Sequence, residues 1–494
     1  MATIVAAAID LASSTPASIL VLMKCAARST SPSIAWMWVW ATFLITCLSN
    51  CRESGTSATP GAFTTSSAQS STAATAPVAL APFPQRAYVW QRDWKAPVAA
   101  GLMEGREVLD GTVVLGAEVE WGSDGPRVVK PRVDWPALKT FGKPVSVAMR
   151  IAPSPGPFSD IGPVTEKLCA IAGEVIDDAK SGGVPLAEFQ LDFDCAQKKL
   201  AGYALWVRAI RRAVEPVPLV ITTLPSWLPE PDFPGLVREA GAYVLQVHSV
   251  ASPRGDEKTR ICDPDEARRW VAQAAKLGLP YEIALPTYRS VVGYSPEGRL
   301  LGVASDAVRP TWPPGTLIRE YATDAEGMAA LVAEWQQQRP AHCRGLMWYR
   351  LPVATDANNW RWPTLRAVMQ GRAPRDSWRL RVDGAATSAG ATAPSESGAQ
   401  TQTPETAAPN PADFILVNDG ETDGPPDCRI VVRWEGGARA TCDALPGWET
   451  TVGTGQVTFV RATANQRRLP PGEECAIGWL RLEPGAPLHV EILR

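Results

Sequence analysis

Between residues 86 and 352, eight strand-like runs alternate with segments of helical period, and this alternation constrains the fold more than any other feature. The runs are "RAYVWQRDW" (86–94), "GTVVLGAEVEW" (111–121), "PVSVAMRIA" (144–152), "AEFQLDFDC" (187–195), "PLVITTLPSWL" (218–228), "AYVLQVHSV" (242–250), "PYEIALPTY" (280–288) and "RGLMWYRLP" (344–352). Between them, "VTEKLCAIAGEVIDDAKSG", "LAGYALWVRAIRRAV", "DPDEARRWVAQAAKLG" and "DAEGMAALVAEWQQQ" repeat apolar residues every three or four positions, as a helix with one buried face does. In the third of these, Asp263 stands as an N-cap, Pro264 suits the first turn, Glu266 completes a capping box and Gly278 ends the helix. The pattern predicts an α/β fold, a (β/α)8 TIM-type barrel over residues 84–383. A doubly wound open sheet is the alternative, but no Gly-rich phosphate turn follows the first run.

The flanks differ in kind. Lys24 and Arg28, an apolar stretch from Ile34 to Leu48 and then Cys51 have the layout of an export signal over residues 1–50, with Met23 a second candidate start. The layout resembles a lipoprotein signal, which implies lipidation of Cys51, a membrane attachment and a body in the cell envelope facing the periplasm or exterior. A membrane anchor or ordinary secretion would also place the body outside the cytoplasm. Residues 51–83 and 384–413 are Ser/Thr/Ala/Pro-rich and read as a disordered tether and a linker. Residues 414–494 hold short alternating runs with Gly/Pro turns, which predict a small C-terminal all-β, sandwich-like domain. There Cys428 and Cys442 flank an expected hairpin, "RIVVRWEGGARAT", and could face each other.

A formal charge of −3 and the lack of a basic run argue against a nucleic-acid partner. With three histidines and no HxH or HExxH, no metal or other cofactor is expected, although Asp192, Asp194, Glu120 and His248 are in principle a carboxylate-rich set.

In "AEFQLDFDC", Glu188, Gln190, Asp192 and Asp194 share one face and Phe189, Leu191 and Phe193 the other. A barrel explains the polar face, since one side of each strand points inward and active groups collect at the strands' C-terminal ends. The same alternation adds Glu118, Glu120, Arg150, Gln246, His248, Tyr288, Trp348 and Arg350 to one mouth, with Glu282 deep in its strand as a structural group. Converging ionisable groups are costly unless paired or used. Two carboxylates beside aromatic surface suit glycoside hydrolysis, in which an acid protonates the leaving oxygen while an anion attacks, activates water or holds charge. Like charges two residues apart keep one of the pair protonated near neutrality. Asp194 is the expected acid, Asp192 its partner, and Glu120 or Glu118 the second carboxylate. Gln190, Gln246 and His248 would contact a sugar, Arg150 and Arg350 would stabilise anions, and Trp227, Tyr288, Trp348 and Tyr349 would line subsites.

The runs "LDFDCAQKKLAGYALWVRAIR", "ITTLPSWL", "LPTY", "GLMWYRLP" and "GWLRL" resemble a bacterial family, domain of unknown function 3142, from about residue 84 onward. That resemblance implies a barrel and no particular activity. More distantly, strand four is similar to the D-x-x-D-x-D-x-E strand of family 18 chitinases, with Ala187, Gln190, Asp192 and Asp194 at its four acidic positions; "ALPTY", the insertion from about Arg289 to Thr323 and "GLMWY" also look like that family. Two of the four positions depart, and Asp194 is one methylene shorter than Glu. Three functions stay open: a glycoside hydrolase acting on a polysaccharide, a silent carbohydrate-binding barrel, and a structural envelope lipoprotein.

Overall fold

The computed structural model describes residues 83–493, apart from 123–124, 249–259, 306–310, 385–400, 403–410, 424–427, 463–467 and 484–485. The export signal, the tether and Cys51 lie outside the described residues. Eight parallel strands close a barrel: β1 (Gln85–Val89), β2 (Gly111–Gly122), β3 (Val145–Ile151), β4 (Leu186–Phe193), β5 (Leu219–Thr223), β6 (Ala242–Gln246), β7 (Tyr281–Pro286) and β8 (Cys343–Tyr349). Neighbours pair in chain order and β1 pairs with both β8 and β2, which closes the ring. The expected barrel and C-terminal β-sheets are borne out, and the open sheet is excluded.

Each strand is followed by a helix: α1 (Ala96–Glu104), α2 (Trp135–Phe141), α3 (Pro163–Ser181), α4 (Leu200–Val214), α5 (Phe233–Ala240), α6 (Pro264–Lys276), α7 (Ala325–Gln337) and α8 (Trp362–Met369). The first two are short, which is why their period is faint in the sequence. Asp263 caps α6 by accepting from the Asp265 and Glu266 amides, and Gly278 beyond it takes the left-handed φ of +68° that favours glycine. The outward faces of the strands and the inward faces of the helices share one apolar core, in which Phe189, Leu191 and Phe193 are buried. Each such side chain stabilises the fold by about 1.5–3 kcal/mol.

A bulge in β2 positions the mouth. Val113 belongs to the barrel interior, so strict alternation would send Glu118, five residues on, outward. The register shifts between Leu115 and Ala117, and Glu118 then stands opposite Arg150 of β3. Gly116 at the bulge lies under α3, where a Cβ would come within 2.7 Å of the Val175 methyl.

Residues 288–323 form a second compact unit between β7 and α7, a three-stranded antiparallel sheet with Arg289–Tyr294 at its centre, flanked by Leu300–Ala304 and Leu317–Ala322. At the C-terminus, one antiparallel sheet joins Trp378–Gly384, Ala412–Asn418, Glu474–Glu483 and Arg439–Ala444 in that order. The other joins Thr401–Gln402, Leu488–Leu493, Arg429–Trp434, Gln456–Arg461 and Trp448–Gly453. One cluster including Leu380, Phe414, Ile430, Val432, Phe459 and Leu480 packs between them. Two details differ from expectation. Trp378–Gly384, read as barrel, pairs with Ala412–Asn418. The two halves of the expected hairpin enter different sheets, and Cys428 and Cys442 are not joined by a disulfide. Arg372 of the barrel side holds Glu421 through two hydrogen bonds of 2.6 and 2.9 Å.

Candidate functional site

The barrel interior is built in tiers. At the floor, Arg86 of β1 is clamped between Glu188 of β4 (2.8 Å) and Glu282 of β7 (2.5 Å), and also donates to the Ser146 hydroxyl (3.3 Å). Burial raises the Glu282 pKa and Arg86 opposes that rise; the group is structural, as expected. Above it, the Tyr88 hydroxyl donates to Gln190 Oε1 (2.7 Å) and the Gln190 amide donates to Glu188 (2.6 Å). Gln190 is thus fully buried and committed below the mouth, and does not face a ligand as expected.

At the mouth, Glu118, Arg150 and Asp192 stand in one row across β2, β3 and β4. The Thr222 hydroxyl of β5 donates to Asp192 (2.7 Å). Burial works against the Arg150 charge, but Asp192, Tyr349, Asp194 and Glu118 together hold its pKa above the ordinary value. Asp194 follows the last residue of β4, is half-buried and has no hydrogen-bond partner among the described residues. Burial first and the Asp192 carboxylate second push its pKa up to about 6, against the pull of Arg150. The like-charge argument thus fits the surroundings of Asp194, with desolvation as the larger cause.

An aromatic wall rises from β1, β8 and the end of β6. Trp90 and Tyr349 meet at 5.5 Å, each packs against Tyr88 (5.4 and 5.8 Å), and the His248 ring stacks on Tyr349 at 5.7 Å. Burial lowers the His248 pKa to about 4, so it is neutral at physiological pH. Gln246 is half-buried two residues before it on the same face. Tyr88 and Trp90 were missed in the sequence, although they alternate in step with Arg86.

Several expected members are committed to other partners or lie elsewhere. Glu118 is buried and held by Arg92 in a two-point ion pair, so its carboxylate is committed. Glu120 is half-buried, beyond the pairing of β2 with β3, opposite Arg127 in the hairpin that β2 makes with Gly125–Val129. Trp348 points outward into the core and donates to Gln85 Oε1 (3.0 Å); the inward residues of β8 are Met347 and Tyr349. Trp227 is 1% exposed and packs between Tyr203 and Phe233 in the same core. Arg350 is buried against Asp356 at 2.6 Å, a structural ion pair. Tyr288 belongs to the three-stranded unit, where its carbonyl accepts from Thr323 (2.7 Å). Among the described residues, no group of three or more His, Cys, Asp or Glu side chains is placed to hold a metal ion.

Residues 161–354 match the family described as Domain of unknown function (DUF3142). The resemblance is borne out over this segment, which runs from the loop before α3 to the loop after β8 and contains Asp192, Asp194, His248 and Tyr349. A comparison with curated proteins finds no match. Among solved structures, the chain is distantly similar to the Bacillus megaterium QM B1551 spore cortex-lytic enzyme SleL, at 11% identity over 59% of this chain and 74% of that one, with a TM-score of 0.43. It is similar to a chitinase from Chromobacterium violaceum ATCC 12472 at 13% identity over 58% of this chain and 98% of that one, with a TM-score of 0.42. A third similar structure is the Ostrinia furnacalis Group IV chitinase in complex with allosamidin, at 10% identity over 59% of this chain and all (100%) of that one, with a TM-score of 0.36.

Proposed function

We propose that the barrel mouth binds a polysaccharide and that Asp194 acts there as general acid in glycosidic cleavage, on an exported chain tethered to the membrane through Cys51. The observation that carries this reading is the Asp194 carboxyl: half-buried, without a hydrogen-bond partner among the described residues, held near pKa 6 beside Asp192, and acting on the same Arg150 as Tyr349 of the aromatic wall. An acid with that pKa is partly protonated near neutrality and can donate to a leaving oxygen. Asp192, fixed by Thr222 and facing Arg150, supplies negative charge beside the oxocarbenium-like centre. Both acids project from one strand, so neither opposes the other across a sugar ring. Attack at the anomeric carbon therefore comes from water or from a substituent of the sugar itself, as in substrate-assisted hydrolysis.

A sugar-binding barrel without turnover is the second reading. It is favoured by the Arg92 clamp on Glu118, which withdraws the carboxylate two strands away from Asp194. A polysaccharide panel assayed for both binding and new reducing ends separates the two. The enzyme reading expects reducing ends from wild type and none from Asp194→Asn with binding kept. Binding with no reducing ends selects the silent barrel, and neither result leaves a structural envelope lipoprotein.

A further inference from the structure

Behind β4, on the side away from the mouth, three donors are buried with no acceptor among the described residues: the Tyr203 hydroxyl and the indole N–H groups of Trp206 and Trp227. They belong to one aromatic group on α4 and the turn after β5. Tyr203 meets Phe193 edge-on at 5.0 Å and Trp227 at 6.3 Å, while Trp206 lies 5.6 Å from Phe193. Phe193 is the residue between Asp192 and Asp194, so the cluster abuts the strand end that carries the acids. Leaving a buried donor unpaired costs about 1–3 kcal/mol. Native folds satisfy such groups, and an internal water with two to four polar partners does so where protein acceptors are out of reach.

Burial first, then Cys195, Asp192 and Asp194, hold Tyr203 as a neutral phenol, a donor throughout the working pH range. The charged and titratable groups about Asp194 are Asp192 on its own strand, Arg150 on β3, Cys195 beside it and Tyr203 on α4. Lys199 acts on Cys195, and Glu118 and Tyr349 act on Arg150.

We infer that Tyr203 is a positioning residue for Asp194, its hydroxyl and the Trp227 N–H donating to one internal water that in turn donates to the back of the Asp194 carboxylate. A water so placed accepts two hydrogen bonds and donates one to the acid, with a second proton for the Cys195 sulfur or a backbone carbonyl, which satisfies two of the orphaned donors. This role rests on the reading of Asp194 as the working acid, and it explains why a phenol is spent inside an otherwise apolar layer.

The test is the carboxyl titration of Asp194 by infrared or 13C NMR spectroscopy, assigned by its loss in Asp194→Asn, in the full-length chain. A hydrogen bond to the anion lowers a carboxyl pKa, so Tyr203→Phe raises it by at least about 0.5 unit. Trp206→Phe, which disturbs the same aromatic packing, leaves it in place. An unchanged titration in a folded Tyr203→Phe protein, or an equal rise in Trp206→Phe, overturns the inference. Should Tyr203→Phe not fold, Trp227→Phe removes the other donor to the same water and is read by the same criterion. The titration does not require turnover: a wild-type protein that cleaves no sugar ends the catalytic reading and leaves the Tyr203 coupling standing or falling on its own shift.

Discussion

Asp192→Asn removes one charge from the acid pair and replaces it with a group of nearly the same shape that still accepts from Thr222. Two residues along a strand separate their Cα atoms by about 6.6 Å. At that distance two unit charges repel by about 2.5 kcal/mol at an effective dielectric of about 20, and by about 0.6 kcal/mol in water. The half-buried mouth lies between these limits, so losing the Asp192 charge lowers the Asp194 pKa by about one unit, near 1.4 kcal/mol. Because burial is the larger cause, the acid moves from about 6 toward about 5 and does not return to its ordinary 3.8. The assay is kcat/KM for a cleaved oligosaccharide from pH 4 to 8. Its alkaline limb reports the acid in the free protein. That limb moves down by about one unit, and the protonated fraction at pH 7 falls from about one-tenth to about one-hundredth. A limb that stays in place, or moves up, refutes the like-charge argument whatever happens to the overall rate.

Trp90→Ala removes half of the aromatic wall and should weaken oligosaccharide binding by about 1 kcal/mol or more, roughly fivefold to tenfold in Kd, with the thermal unfolding midpoint little changed; calorimetry measures both. Arg350→Ala strands Asp356 in the core and should cost about 3–5 kcal/mol of stability, seen as a lowered Tm, where a role at the mouth would cost affinity alone. Asp194 binds its proton more tightly folded than unfolded, so its contribution to stability is present below its unfolded pKa near 4 and is lost as pH rises through 6. The Tm of Asp194→Asn minus that of wild type should therefore grow from pH 4 to 7 in a thermal scan series, and a flat difference contradicts the raised pKa.

Strand four was legible because its two faces differ: four polar side chains oppose three apolar ones, and parity alone aims Asp192 and Asp194 inward. Strand eight was not, because "GLMWY" is apolar on both faces and nothing local decides between Trp348 and Tyr349. The choice is made by pairing with β7 and β1, where Trp348 stands opposite Leu285 and Ala87. Trp227 was misplaced for a related reason, since a tryptophan after a barrel strand serves core and mouth alike. Tyr88 and Trp90 carried a usable signal, the same alternation as Arg86. The Arg92 clamp on Glu118 was beyond reach, since it depends on the path of the loop after β1. Likewise, Arg429–Trp434 and Arg439–Ala444 alternate as a hairpin would, and only the packing of two sheets sends them apart.

The central claim, that the Asp194 side chain meets the bond to be broken, is tested most directly by a crystal structure of Asp194→Asn bound to an oligosaccharide that wild type cleaves. In that complex a sugar ring should lie against Trp90 and Tyr349, with a glycosidic oxygen within about 2.6–3.2 Å of the substituted carboxamide. A sugar seated elsewhere, or a glycosidic oxygen that faces no atom of that side chain, would contradict it.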